Sequence, residues 1–356
     1  MSAWYYIATP ISPDNFAGTK ARLDIEALCE RRGMRRIEFA GSNTANRRLS
    51  QRILLVRLGL KNWIALKKNV APSSLVLFQY PHYPMKSAVL ARFMMRWIRR
   101  RKQVRFVALV HDLNAARETF GKAAQYSDSR FLPQFDYIVC HNERMCRYLA
   151  ERGFDPARLI PLGMFDYLAE GGMPVAANAP LASINIAGNL SREKSAYLYT
   201  LAALPMRFQL YLYGAGLDAD LTSDSVFYEG LLPAETLPQA LRGAFGLVWD
   251  GDSIDTCSGL YGAYLAVNNP HKLSLYLSAG IPVIVWSGSA PADFVERGGL
   301  GLSVSSLRSL SDALDAVSKE RYAVLRQNAR LEGEKIRAGY YFHQAMDRLE
   351  DLCLKR

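Results

Sequence analysis

Short apolar runs alternate with helix-patterned segments along almost all of the 356-residue chain. In the first half, residues 4–8, 36–40, 74–78, 105–110 and 137–141 are rich in Val, Ile, Phe and Tyr and are bounded by polar residues or proline. Runs that short and that apolar read as buried strands. Between them, helices are predicted over 19–32, 46–68, 86–102 and 143–152. A strand-helix series of this kind predicts an open parallel sheet with helices on both faces. A second series begins with strands at 183–187, 208–213, 226–228, 245–249, 281–286 and 301–304, and has helices near 270–279 and 307–318. The expected organisation is a first domain over 1–170, a linker over 171–182 rich in Gly, Pro and Ala, and a second domain over 183–335. Residues 336–356 are expected to form a C-terminal helix able to return to the first domain, after a break near Gly339. The fold class is therefore α/β, with two doubly wound domains facing across a cleft. Ligands in such sheets bind outside the carboxyl ends of the strands.

Composition narrows the function classes. Half of the residues are hydrophobic and 22% are charged, which excludes a disordered chain. No run reaches 18 apolar residues, and the N-terminal apolar stretch has no charged region before it, so neither a spanning helix nor a signal peptide is expected. Five scattered cysteines without a CxxC pair argue against a disulfide scaffold or a zinc site and fit a cytoplasmic setting. The net charge of +11 is uneven. Residues 1–170 hold 28 basic and 14 acidic residues (+14), and the remainder holds 16 and 19 (−3). Residues 86–105 contain eight basic and no acidic residues, with Leu90, Phe93, Met94, Trp97 and Ile98 at helical spacing. That pattern predicts contact with an anionic membrane surface, on the inner face of the cell membrane. A core-facing helix with a solvated basic face is the plainer alternative. No stacking-aromatic motif accompanies the charge, and nucleic acid is not expected as a partner.

Four strand-to-helix turns carry candidate chemistry. Gly188-Asn189-Leu190-Ser191-Arg192 ends a strand and opens a helix, so backbone N–H groups and the Arg192 guanidinium can receive a phosphate. A plain turn with a surface arginine fits equally. It lacks the Walker lysine pattern and a full GxGxxG, which counts against kinases and GTPases. In Asn269-Pro270-His271-Lys272, Asn269 is the expected N-cap and Pro270 the first helical residue. Lys272 then lies in the first turn, where a cation opposes the helix dipole unless an anion accompanies it. His111 and Asp112 end a first-domain strand and suit proton transfer, although Asp112 also reads as a helix cap. Gly18-Thr19 follows the first strand as a helix start, and ordinary capping explains it as well.

Four segments together make the chain recognisable: Val110-His111-Asp112-Leu113 with Arg117, Ala187-Gly188-Asn189-Leu190 with Arg192 and Lys194, Phe245 through Ser253, and Asn269-Pro270-His271-Lys272 running to Gly280-Ile281-Pro282-Val283-Ile284. The sequence resembles bacterial glycosyltransferases of the GT-B architecture, with two Rossmann-like domains. Within these it is similar to β-1,6-galactofuranosyltransferases and to glucosyltransferases that extend glycans on serine-rich repeat adhesins. The resemblance implies hexosyl transfer from a UDP-sugar, held by the second domain, to an acceptor held by the first. The acceptor would be a saccharide, glycolipid or glycoprotein, and a homo-oligomer is compatible with the group. Gly188, Asn189, Arg192, Tyr213, Asn269, Lys272 and Ser274 would serve the donor, joined by Thr19 from the other domain. Asp112 would be the general base, with His111 as the alternative. No cofactor is implied beyond the donor, and no metal despite the DxD spacing of Asp250-Gly251-Asp252. Retaining members carry two glutamates near the last segment. Residues 260–280 contain none, which favours inversion. A sugar-nucleotide epimerase and a non-catalytic partner subunit are the rival readings.

Overall fold

The computed structural model describes residues 3–8, 16–40, 49–81, 88–113, 128–169, 171, 179–221 and 223–354. Parts of the linker, the first-strand loop and Arg117 lie outside them. The chain forms two compact units, one of Met1–Leu162 with His343–Arg356, the other of Gly163–Phe342.

The first unit is built on β1 (Trp4–Ala8), β2 (Arg35–Glu38), β3 (Leu75–Tyr80), β4 (Arg105–Val110), β5 (Tyr137–Cys140) and β6 (Leu159–Pro161). Their order is β2-β1-β3-β4-β5-β6, and every pair is parallel. All six residues of β3 are buried, as expected for a strand covered on both faces. The helices are α1 (Phe16–Arg31), α2 (Leu49–Asn69), α3 (Ala88–Lys102) and α4 (Glu143–Ala150). Trp63 of α2 packs on Phe78 of β3, with ring centroids 6.0 Å apart, and Phe106 of β4 joins them. Asn142 caps α4, its Oδ1 accepting the Met145 N–H at 2.9 Å. The short strand β6 was not expected from sequence, because three residues ending in proline give almost no periodic signal.

The second unit contains β7 (Ser183–Ala187), β8 (Gln209–Tyr213), β9 (Val226–Gly230), β10 (Phe245–Val248), β11 (Val283–Trp286) and β12 (Gly301–Val304), in the order β12-β11-β10-β7-β8-β9 and again all parallel. Its longer helices are α5 (Arg192–Ala202), α6 (His271–Ser278), α7 (Ala292–Gly298) and α8 (Lys319–Ala338). Gly339 (φ 80°) ends α8 in the left-handed conformation, and α9 (Tyr340–Leu354) follows. Gly246 lets α6 lie close on β10, since a Cβ there would come within 2.1 Å of the Tyr276 ring. Residues 163–169 pack with this unit. Met164 and Tyr167 share a core with Leu273 and Tyr276, and the Ser274 hydroxyl donates to the Phe165 carbonyl at 2.6 Å.

From His343 onward, α9 belongs to the first unit. Ala345, Met346 and Leu349 are buried there. Arg32 pairs with Asp347 at 2.7 Å, and Arg105 donates to the Cys353 carbonyl at 2.9 Å. Among the described residues, no helix is long and apolar enough to cross a membrane.

Candidate active site

In the second unit the chain runs from β7 out to β9, then returns to β10 on the other side of β7. The strand order thus reverses between β7 and β10, and loops diverge there to leave a crevice at the carboxyl ends. Two of the predicted donor segments arrive at this point.

The first is the turn after β7. Gly188 (φ 133°) gives its N–H to the Tyr213 carbonyl at 2.9 Å. Gly214 (φ 147°) crosses beside it so closely that a Cβ would lie 1.7 Å from the Gly188 carbonyl oxygen. Asn189 folds into an Asx turn, its Oδ1 accepting the Ser191 N–H at 2.9 Å. Gly188 and Asn189 are exposed. Arg192 opens α5 and is also exposed. Its guanidinium pairs with Asp218 and Asp220, each at 2.6 Å, and lies 4.1 Å from the Tyr199 ring centroid. The two carboxylates raise its pKa further above the arginine range.

The second is the loop after β10 with the start of α6. Lys272 is the second residue of α6, and its Nζ donates to the Trp249 carbonyl at 2.9 Å and to Asp250 Oδ1 at 2.8 Å. Asp250 is thus the anion that accompanies a cation in this first turn. The helix begins one residue later than the expected cap. Pro270 is the N-cap, without a side-chain hydrogen bond, and Asn269 instead donates to the Gly163 carbonyl at 2.7 Å. The Tyr197 N–H, at 3.4 Å from the Gly251 carbonyl, ties α5 to the β10 loop.

Three predicted donor residues are buried, Asn269 with Tyr213 and Ser274. Tyr213 is buried, its hydroxyl donating to the Ala240 carbonyl and accepting the Arg242 N–H, each at 3.0 Å. Burial pushes its phenol pKa up. Ser274 is buried against Phe165, as described above.

In the first unit the order reverses between β1 and β3, and the polar groups gather at the carboxyl ends beside that point. Thr19 is half-buried on α1. The next residue, Lys20, forms a buried ion pair with Asp24 at 2.5 Å. His111 and Asp112 follow β4, both half-buried. His111 Nε2 lies 2.7 Å from Gln79 Oε1 at the end of β3. The Gln79 amide nitrogen donates to the Arg22 carbonyl at 3.2 Å and to Glu26 at 3.4 Å. That pattern turns Oε1 toward the ring, so His111 carries its proton on Nε2. His141, buried at the end of β5, bonds to the backbone of Val110 and His111, and burial lowers its pKa to about 4. Sequence reading missed Asp250, Gln79 and His141. Only the DxD spacing hinted at the first, and the other two lie inside or beside strands. Among the described residues, no group of three or more His, Cys, Asp or Glu side chains is placed to hold a metal ion.

Two six-stranded parallel sheets, each with its polar groups at the carboxyl ends of a strand-order reversal, give the chain the GT-B fold. The structure is similar to Anabaena HepE in complex with UDP and glucose, with a TM-score of 0.63 and 13% identity over 98% of this chain and 100% of that one. It is also similar to a sucrose-phosphate synthase from Thermosynechococcus elongatus (TM-score 0.62, 15% identity, 100% and 99% of the two chains). The sequence matches the Glucosyltransferase 3-like N-terminal domain over 5–164 and the Glucosyltransferase 3-like C-terminal domain over 184–349. The chain belongs to this glucosyltransferase 3-like family and is a hexosyltransferase. It is 33% identical over 251 residues to the β-1,6-galactofuranosyltransferase WbbI of Escherichia coli (strain K12), 69% of this chain and 72% of that protein. Glucosyltransferase 3 of Streptococcus parasanguinis is 25% identical over 207 residues, 58% of each chain.

Proposed function

We propose that the chain moves a hexosyl group from a UDP-sugar to a saccharide acceptor in cell-surface glycan synthesis, without a metal and with inversion. The observation that carries this reading is Lys272 at the reversal of the second sheet. Its ammonium has three donors, and Trp249 and Asp250 take two. The third serves a phosphate oxygen, with Asp250 holding the ammonium in place. Arg192, on the neighbouring turn, exchanges its aspartates for the diphosphate. Gly188 and Asn189 line the approach. Asn269, Ser274 and Tyr213 hold the surrounding backbone in position. Thr19 of the first unit is a further donor contact.

The acceptor hydroxyl attacks the anomeric carbon as the bond to the diphosphate oxygen breaks. Negative charge collects on the departing UDP, where a positioned cation lowers the barrier. The hydroxyl proton passes to Asp112 or, in the alternative assignment, to His111. The acceptor saccharide is free or carried on lipid or protein. The eight basic residues of 86–105, with no acidic one among them, support a location at the inner face of an anionic membrane.

Transfer from UDP-glucose, UDP-galactose and UDP-galactofuranose tests the reading. Lys272→Ala should cut turnover on the order of 100-fold. Asp112→Asn should abolish transfer while UDP binding persists. Near-normal transfer in both Lys272→Ala and Arg192→Ala overturns the donor assignment, and loss in His111→Ala alone exchanges the roles of the two candidate bases.

A further inference from the structure

No Asp or Glu occurs between Glu38 and Asp112, a stretch that holds fifteen Lys and Arg residues. The fold concentrates much of this charge on two adjacent helices. The connections β2 to β3 and β3 to β4 advance in the same direction across the sheet, so right-handed crossovers put α2 and α3 on one face. They pack in parallel. A Cβ on Gly59 would lie 3.3 Å from Leu90, and Lys67 Nζ sits 3.9 Å from the Trp97 ring centroid.

Each helix turns an apolar row and a basic row outward. On α2, Val56, Leu60 and Ile64 recur every four residues and are 54%, 41% and 39% exposed. Arg57 and Lys61 flank them, and Lys68 continues the row. On α3, Val89 and Phe93 are 72% and 66% exposed beside Arg92, Arg96 and Arg100. The inward residues are different in kind. Trp63, Leu66, Met94, Met95 and Ile98 are buried. Arg99 pairs with Asp136 at 2.9 Å, and Lys102 donates to the Val70 carbonyl.

Exposed apolar side chains ringed by cations of one sign match the acyl boundary and anionic headgroups of a bilayer. We infer that α2 and α3 together form a docking face for an anionic lipid bilayer, with Val56, Leu60, Ile64, Val89 and Phe93 entering the interface and the flanking basic residues meeting the headgroups. This rests on the membrane reading of residues 86–105 and extends it to α2, whose apolar row lies outside that segment. A second copy of the chain would meet the same cations with its own, and like charges oppose that pairing.

Flotation with vesicles of phosphatidylglycerol and phosphatidylcholine (about 3:7), against pure phosphatidylcholine, tests the proposal. The full chain should float with the anionic vesicles and lose most of that recovery at about 0.5 M salt. Val56→Ser/Leu60→Ser/Ile64→Ser should weaken binding at least about tenfold. Arg57→Gln/Lys61→Gln/Lys68→Gln, all exposed and so tolerated by the fold, should weaken it on the order of 100-fold. Anionic binding unchanged in both α2 variants overturns the two-helix face. Binding unchanged also in Arg92→Gln/Arg96→Gln/Phe93→Ser overturns the reading of 86–105 itself. Equal recovery on both vesicle types, or no flotation together with a dimer that the α2 serine variant dissociates in sedimentation velocity, likewise overturns the proposal.

Discussion

His141 is held in a place that tolerates only its neutral form. Desolvation lowers its pKa to about 4, whereas an unfolded histidine titrates near 6.5. Between those values the unfolded chain binds more protons than the folded one, so this residue's contribution to stability is complete above pH 6.5 and is lost as pH falls toward 4. The loss is at most about 3 kcal/mol. Urea unfolding of wild type and His141→Asn across pH 7 to 4 should show the wild type losing its advantage within that window. Parallel curves would mean that His141 is not the group responsible. Single residues were legible in the sequence where a local rule was broken. Lys272 stood out as a cation in a first turn. Its partner Asp250 is 22 residues away, and only the packing of α6 on β10, Tyr276 against Gly246, brings the two to one place. Tyr213 and Ser274 read as polar residues near a site, but nothing local told that their hydroxyls satisfy backbone groups.

At the scale of elements, α9 depends on a cap from a distant segment. The Asp166 carboxylate accepts the N–H groups of Tyr341 at 3.2 Å and Phe342 at 2.7 Å. Asp166→Ala leaves these donors without it and should cost about 1 kcal/mol. Asp166→Asn keeps an acceptor oxygen and should lose less. Thermal unfolding of both variants checks the order, and equal losses would place the effect in packing. The break at Gly339 was readable because glycine commonly ends a helix, yet its cap lies 175 residues upstream. Strands were readable for the opposite reason, since a strand buried on both faces carries its signal in its own run of residues, as β3 and β4 do. The outward row of α2 was not readable. Val56, Leu60 and Ile64 fit the helical spacing of a core face, and only the packing of Trp63 and Leu66 tells which side is covered.

For the whole molecule, the two-sheet plan was legible from the repeated strand-helix pattern, but the division of the chain is set by packing. The segment after Leu162 follows the core it touches, as Met164 and Tyr167 do, and the last helix completes the first unit. A chain ending at Phe342 should therefore keep the second unit and weaken the first, since Ala345, Met346 and Leu349 leave its core and Arg32 and Arg105 lose their partners. Hydrogen exchange should quicken in β4 and β5 of that truncated chain and slow again when a peptide of residues 340–356 is added. Unchanged protection in those strands would mean that the first unit is complete without the helix.

That arrangement also reverses the usual order of events during synthesis. Domains as a rule close in the sequence in which they leave the ribosome. Here residues 1–162 wait for residues 343–356. The second unit is fully translated at Phe342, and only then does the helix that finishes the first unit emerge. From Leu162 until that helix emerges, the nascent chain carries all six strands of a strongly basic first sheet without the helix that completes their core.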